Sequence, residues 1–424
     1  MQALFELFYQ TSGVCTDTRT LVKNCMFICL QGDRFDANEF AEKAIDSGAK
    51  HVISSDYTKC NGINIHYVEN TLIFLQNLAN FHRKKFNIPV IGITGSNGKT
   101  TTKELVHAVL KTTHKVLCTQ GNLNNHIGVP LTLLQLQSEH EIAIVEMGAN
   151  RPGDIEELCE IASPTHGIIT NIGRAHLEGF GSFEGVLSTK LALYEAVSAH
   201  QGILFVNADD ATLMEHLPHL RLDTYSSHNE AEVLGKIHEL NPFLSFTYKT
   251  QEGVFGPIQT HLVGSYNLFN FLTAVSVGRH FGVSNDNIAN ALSTYIPTNN
   301  RSQVQQTARN TLIVDCYNAN PSSMNAALSS FERMKANKKL AILGDMLELG
   351  KVSNEEHYKT LETCRSANLP FITVGKEFGQ IALSNHFENV QQLIDSGILS
   401  SIHETTLLVK GSRGIGLEKI IPYL

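Results

Sequence analysis

Short apolar runs alternate with amphipathic stretches along most of this 424-residue chain, and that alternation limits the fold more than any other feature. Candidate strands are residues 26–30, 51–54, 89–93, 116–118, 142–145, 167–171, 203–206, 311–314, 340–343, 371–374 and 407–409. Candidate helices are 99–112, 154–161, 183–198, 266–281, 285–295, 322–334 and 355–366. Strands separated by helices of about ten residues or more predict parallel sheets in an α/β protein. At ~100–200 residues per domain, three domains are the natural expectation. The charged stretch 83–89 leads into a Pro and an apolar strand, and the polar stretch 296–301 carries a helix-breaking Pro. Cut there, the chain gives pieces 1–86, 87–298 and 299–424, with a β-rich insertion expected at 222–264.

The most informative local run is Val90-Ile91-Gly92-Ile93-Thr94-Gly95-Ser96-Asn97-Gly98-Lys99-Thr100-Thr101. An apolar strand enters a Gly-rich turn, and a helix begins at Lys99. Glycines let backbone amides approach phosphate oxygens, and a helix N-terminus offers unpaired N–H groups and partial positive charge. Lys99 suits the β- and γ-phosphates of a nucleotide, and the Thr100 hydroxyl suits Mg²⁺. The common phosphate-loop formula has a further Gly where this chain has Ile93, so the loop is a shortened Gly95-x-x-Gly98-Lys99-Thr100.

Composition excludes other classes. The formal net charge is −8, which is wrong for a nucleic-acid binder working through bulk positive charge. Hydrophobic residues are 42% and charged residues 17%, which excludes a disordered chain. Eight cysteines show no zinc-type pairing and sit mostly in apolar runs, as buried thiols of a reducing compartment do. The first 13 residues lack the basic start of a signal peptide, and no run reaches the ~18 apolar residues of a membrane span. A soluble, cytoplasmic protein without membrane insertion is expected.

Several further runs stand beside the loop: Gly121-Asn122-Leu123-Asn124-Asn125-His126-Ile127-Gly128-Val129-Pro130-Leu131-Thr132, Glu146-Met147-Gly148-Ala149-Asn150, Thr170-Asn171-Ile172-Gly173-Arg174-Ala175-His176-Leu177-Glu178, Gly344-Asp345-Met346-Leu347-Glu348-Leu349-Gly350 and Lys410-Gly411-Ser412-Arg413-Gly414. With the shortened loop, and in this order, they resemble the Mur ligases, the ATP-dependent amino-acid and peptide ligases of peptidoglycan synthesis. The resemblance covers essentially the whole chain. It implies a small N-terminal α/β domain for a UDP-sugar, a central ATPase domain of phosphate-loop type with a mainly parallel sheet, and a C-terminal Rossmann-like domain for the acceptor. It further implies addition of D-alanyl-D-alanine to UDP-N-acetylmuramoyl (UDP-MurNAc) tripeptide through an acyl-phosphate, by an enzyme working as a monomer.

Site residues follow from position and from the resemblance together. Glu146 ends an apolar strand, where α/β sheets build sites; helix capping would explain it equally, and the resemblance assigns it to Mg²⁺. His176 lies beyond another strand and is implied to serve a second Mg²⁺. Lys190 reads by position as a surface lysine paired with acids on its helix; the resemblance implies a carbamylated Lys190 that coordinates metal. Asn267 and Asn270 share a helix face, and the resemblance turns Asn267 toward adenine. Arg301 is implied to reach the nucleotide phosphates from across a domain junction, and Asp315 to hold the ribose. Gly95, Ser96, Asn97, Gly98 and Thr101 complete the nucleotide loop. Thr18 and Arg19 are implied to meet the UDP part. The run 35–40 departs from the usual pattern there, notably at Ala37 and Asn38. Asn122, Asn124 and Asn125 suit a sugar-peptide. Lys410, Ser412 and Arg413, with Asp345, Glu348 and His357, are candidates for the dipeptide acceptor, whose carboxylate needs a cation.

Three alternatives stay open at this level. Another ligase of the superfamily, such as folylpolyglutamate synthetase, would differ in acceptor. A kinase would release a stable phosphorylated product. A nucleotide-gated binding protein would bind without turnover.

Overall fold

A computed structural model of the chain describes residues 1–32, 35–60, 64–298, 300–381 and 384–424. Asn299, the expected first residue of the third piece, lies outside them. Among the described residues three main sheets form. The first holds four parallel strands in the order Val14–Cys15, Met26–Ile28, His51–Ser54 and Ile65–Tyr67. The second has nine strands, among which Val90–Thr94 lies between Ile142–Glu146 and His166–Ile169. The third has six, with Thr311–Asp315 and Lys339–Gly344 flanking Thr406–Lys410. The mixed α/β class with parallel-rich sheets matches the sequence expectation.

Side chains alternate across a strand, so a strand covered on both faces must be apolar throughout. Val90, Ala143, Val145 and Ile169 enter one core, and Ile91, Ile93, Ile144 and Ile168 enter the other. The helix Phe183–Ala199 covers the first face closely. A Cβ on Gly92 would lie 2.8 Å from Leu193 Cδ1, and one on Gly167 would lie 3.1 Å from Val197 Cγ2. Those two glycines let the helix settle onto the sheet, which carries Lys190 toward the carboxyl ends of the strands. The helix Asn267–His280 covers the second face. Its Phe271 is fully buried and stacks on Phe246 with ring centroids 5.2 Å apart. Phe271→Ala is expected to cost about 3–5 kcal/mol, read as a lower urea midpoint. A loss under about 1 kcal/mol would show that this face does not hold the helix.

Two details differ from the sequence reading. The stretch 222–264 is no separate insertion. Its strands Val233–Leu240, Phe243–Thr250 and Gly253–Val263 extend the nine-stranded sheet, the last two antiparallel. The helix Thr71–Arg83 was not expected, although Phe74, Leu75, Leu78, Ala79 and His82 recur at helical spacing and Asn70 caps it through Leu72 N and Ile73 N. The charged stretch 83–89 is tied into the fold at its start, the last residue of this helix. Arg83 is buried and donates to the carbonyls of Phe86, Ile88, Ala162 and Ser163 at 2.6–3.4 Å. All eight cysteines are free thiols. No helix among the described residues is long and apolar enough to cross a membrane.

Candidate active site

The turn after Val90–Thr94 is shaped by its neighbours. Gly95 and Gly98 sit at φ +144° and +81°, backbone that other residues avoid. A Cβ on Gly95 would lie 1.9 Å from Thr170 Oγ1, so only Gly fits. The segment 170–173 holds the loop open. Thr170 Oγ1 and Asn171 Nδ2 donate to Asn97 O at 2.6 and 2.9 Å, and Asn97 N donates to Asn171 Oδ1 at 3.1 Å. Ser96 Oγ donates to Gly173 O at 3.0 Å. Lys99 folds back over the turn, with Nζ donating to Gly95 O at 2.6 Å. Burial, with Arg301 adding to it and Glu146 opposing, brings the Lys99 ammonium down to about 8.

Glu146 is 1% exposed at the end of its strand. Its Oε1 accepts from Thr100 Oγ1 at 3.1 Å and from Asn124 Nδ2 at 2.8 Å. Its Oε2 is buried with no hydrogen-bond partner. Lys103 Nζ stands 3.7 Å from that oxygen and donates to Thr119 O at 2.9 Å. Lys103 escaped the sequence reading, although it lies four residues after Lys99, on the same helix face. A buried carboxylate with one free oxygen beside a hydroxyl is a hard-oxygen donor set suited to Mg²⁺. Among the described residues no three His, Cys, Asp or Glu side chains converge, so these oxygens would share the ion with phosphates.

Lys190 corrects the surface reading. It is 3% exposed, and no described residue pairs or hydrogen-bonds with its amine. Burial, then the charge of Lys99, pushes its pKa well below the usual lysine value. His176, at φ +53°, meets the Glu348 carboxylate through Nδ1, and burial holds its pKa below normal against that carboxylate. Asn270 accepts from Thr102 Oγ1 at 3.0 Å and donates to Asn267 at 2.7 Å. Asn267 in turn donates to Val263 O.

The third sheet closes on this loop. Asn320 Nδ2 donates to Asn97 Oδ1 at 2.8 Å, and Arg174 lies 3.6 Å from Glu356. Asp315 accepts from Lys410 Nζ at 2.6 Å, and Arg301 stacks on Tyr317. Between the sheets lies a cavity of about 1230 Å³, larger than the ~300–1,000 Å³ of a single-ligand pocket. Ser96 to Thr101, Asn122, Asn124, Asn125, Glu146, His176, Asn267, Arg301, Asp315, Lys410 and Arg413 all line it, with Gln31 and Gly32 from the first piece. Thr18 and Arg19 do not. Arg19 pairs with Asp17 at the surface at 2.6 Å. Ser412 is buried beside the cavity, where its hydroxyl accepts from Leu347 N and donates to Ala319 O. Asp345 accepts from Glu377 N and Phe378 N, and His357 accepts from Met346 N, so both brace the fold.

A phosphate loop facing a buried carboxylate, in a cleft between the second and third sheets that residues of the first piece edge, defines a nucleotide-dependent enzyme that handles more than one substrate at once. The chain matches the Mur ligase middle domain over residues 93–278 and the Mur ligase, glutamate ligase domain over residues 300–413. It is 34% identical to the UDP-N-acetylmuramoyl-tripeptide–D-alanyl-D-alanine ligase of Bacillus subtilis, over 96% of this chain and 92% of that protein. A MurF crystal structure from Acinetobacter baumannii superposes with a TM-score of 0.86 at 30% identity, covering 98% of this chain and 97% of the other. A MurF ligase from Thermotoga maritima in complex with ADP gives 0.87 at 26%, covering 99% and 97%. The chain belongs to the Mur ligase family. It is an ATP-dependent ligase that forms an amide bond and releases ADP and phosphate. An FPGS of L. casei shares the fold alone, at 13% identity and a TM-score of 0.62 over 83% of this chain and 94% of that one.

Proposed function

We propose that this enzyme joins D-alanyl-D-alanine to UDP-MurNAc-tripeptide in the cytoplasm, as a monomer, giving the pentapeptide precursor of peptidoglycan. The observation that carries this reading is the single cavity in which the phosphate loop, the Glu146 carboxylate and cationic side chains of the 301–413 segment meet. Residues 1–86 take the sugar nucleotide, 87–298 take ATP and 299–424 take the acceptor. Thr18 and Arg19 meet the UDP part once Arg19 leaves Asp17, and Asn122, Asn124 and Asn125 meet the sugar-peptide.

A carboxylate is a poor electrophile, so the tripeptide's terminal carboxylate first attacks the γ-phosphorus of ATP. The bond to the β–γ bridging oxygen breaks, ADP departs and an acyl-phosphate remains. Amides of Ser96 to Thr101, with Lys99 and Arg301, hold the phosphates and stabilise charge on the moving group. Asn267 faces the adenine and Asp315 the ribose. The dipeptide's amine, having lost its ammonium proton, attacks the acyl carbon. The tetrahedral intermediate expels phosphate, and the nitrogen gives up its second proton. Closure of the 299–424 piece over the loop keeps water from the acyl-phosphate.

Mg²⁺, two ions in this reading, supplies charge neutralisation at the phosphates when bound. Thr100 Oγ1 and Glu146 Oε2, which lacks a hydrogen bond, would hold one, and His176 would serve the second. Burial, then the charge of Lys99, favours the neutral form of the Lys190 amine, and a neutral amine can add to CO₂, losing a proton to give a carbamate. The carbamate would put an anion where a cation would repel the metals, and its oxygens would serve as donors to them.

The test is mass spectrometry after incubation with ATP, Mg²⁺, UDP-MurNAc-tripeptide and D-Ala-D-Ala. The expected product is the donor plus one dipeptide, with one ADP and one phosphate per bond and none without acceptor. A phosphorylated donor that accumulates as end product, or equal turnover with glutamate as acceptor, would sink this reading.

A further inference from the structure

Two guanidinium groups share one aromatic ring at the wall between nucleotide and acceptor. The Arg301 guanidinium carbon lies 3.8 Å from the centroid of the Tyr317 ring. The Arg413 guanidinium carbon lies 5.2 Å from the same centroid, and Arg413 Nη1 donates to the Tyr317 hydroxyl at 3.4 Å. All three side chains line the main cavity. Neither arginine has an acid partner among the described residues, and Arg301 Nε is buried with no hydrogen bond at all. Unpaired guanidinium groups in a cavity wall are placed for incoming anions.

The neighbouring groups divide the work. Lys410 is held by Asp315 at 2.6 Å, and Ser412 is held between two backbone groups. Of the 410–413 segment that leaves Arg413 as the cation without a carboxylate. Arg301 sits on the nucleotide side, close enough that its charge lowers the Lys99 pKa. Tyr317 itself follows the end of the strand Thr311–Asp315 by two residues, so the sheet fixes its backbone.

We propose that Tyr317 is a positioning residue whose ring orients Arg301 toward the nucleotide phosphates and Arg413 toward the acceptor's carboxylate, so that one side chain tunes both sites. This rests on the reaction proposed above. The ring face attracts a guanidinium through its quadrupole and restricts a long side chain to one plane. Each arginine then meets its anion with less rotamer freedom to lose.

The experiment compares wild type, Tyr317→Leu and Tyr317→Phe in steady-state kinetics with each of the three substrates varied in turn. Leu keeps apolar bulk without a π-face; Phe keeps the face without the hydroxyl. Tyr317→Leu is expected to raise KM for ATP and for D-Ala-D-Ala by about tenfold each. The KM for UDP-MurNAc-tripeptide should move less than about twofold, and Tyr317→Phe should recover most of the loss. With wild type, replacing D-Ala-D-Ala by its C-terminal amide should raise KM by about a hundredfold, because Arg413 is left without its anion. A change in only one of the two KM values, an equal change in all three, or no recovery by Phe would overturn the proposal. Failure of the underlying reaction would look different, since wild type would then form no pentapeptide. In that event calorimetry of ADP binding still reads the nucleotide half, and an unchanged Kd in Tyr317→Leu overturns it.

Discussion

Lys99→Ala is expected to lower kcat/KM for ATP by about a thousandfold or more while the fold stays intact. The Lys99 ammonium donates to Gly95 O at 2.6 Å and reaches Ser96 O at 3.5 Å, both carbonyls of the phosphate loop. Those bonds can be surrendered when phosphate oxygens arrive, whereas the positive charge has no substitute on the same turn. Lys103 is committed to Glu146 and Thr119. Arg301 approaches from the other side of the cavity and cannot reproduce a cation on the loop itself. The unfolding midpoint should hold or rise, since the truncation removes an ammonium whose burial is itself unfavourable. Lys99→Arg should recover little, because a planar fork does not replace a compact ammonium in a tight turn. An Ala variant within about tenfold of wild type would remove the loop from the chemistry.

The loop and its class were legible because their signal is local. Glycines, lysine and threonine act within a few residues of each other, and the strand before them is buried at every position because the parallel sheet is covered on both faces. The helix Phe183–Ala199 was legible too, but the burial of Lys190 was not. That burial depends on Gly92 and Gly167, one on each of two neighbouring strands, letting Leu193 and Val197 come close. Sequence spacing along one helix cannot report how near another element stands. The same limit hid Lys103, whose meaning lies in its distance to Glu146, 43 positions further on. Tyr317 carries no local signal either, since its partners Arg301 and Arg413 meet it only across the folded third piece. Conversely, Ser412 reads as a ligand in its run, yet the structure spends its hydroxyl on two backbone groups.

Lys190→Ala is expected to lose at least as much as the about 10–100-fold that follows removal of a partner of a metal ligand, and to recover in part with added formate or acetate. A lysine 3% exposed, without a counter-ion and beside another lysine, is an expensive way to hold a helix in place. In the unfolded chain that amine keeps its proton near pH 7. In the fold burial and Lys99 favour its loss. The unfolded state therefore binds more protons, and this group makes the CO₂-free protein more stable as pH rises toward the unfolded lysine value. Lys190→Met keeps the length of the side chain and removes the ionisable group, so it should flatten that slope and raise the unfolding midpoint at neutral pH while activity falls. A small carboxylate entering the space vacated in Lys190→Ala supplies the two oxygens that the carbamate would have presented, and Lys190→Met leaves no room for it. Rescue of Ala but not of Met, together with loss of wild-type activity on rigorous removal of CO₂ and bicarbonate, is the expected pattern. Full activity in Lys190→Met would show that the buried amine serves packing alone, and a wild type indifferent to CO₂ would show that the amine acts without being carboxylated.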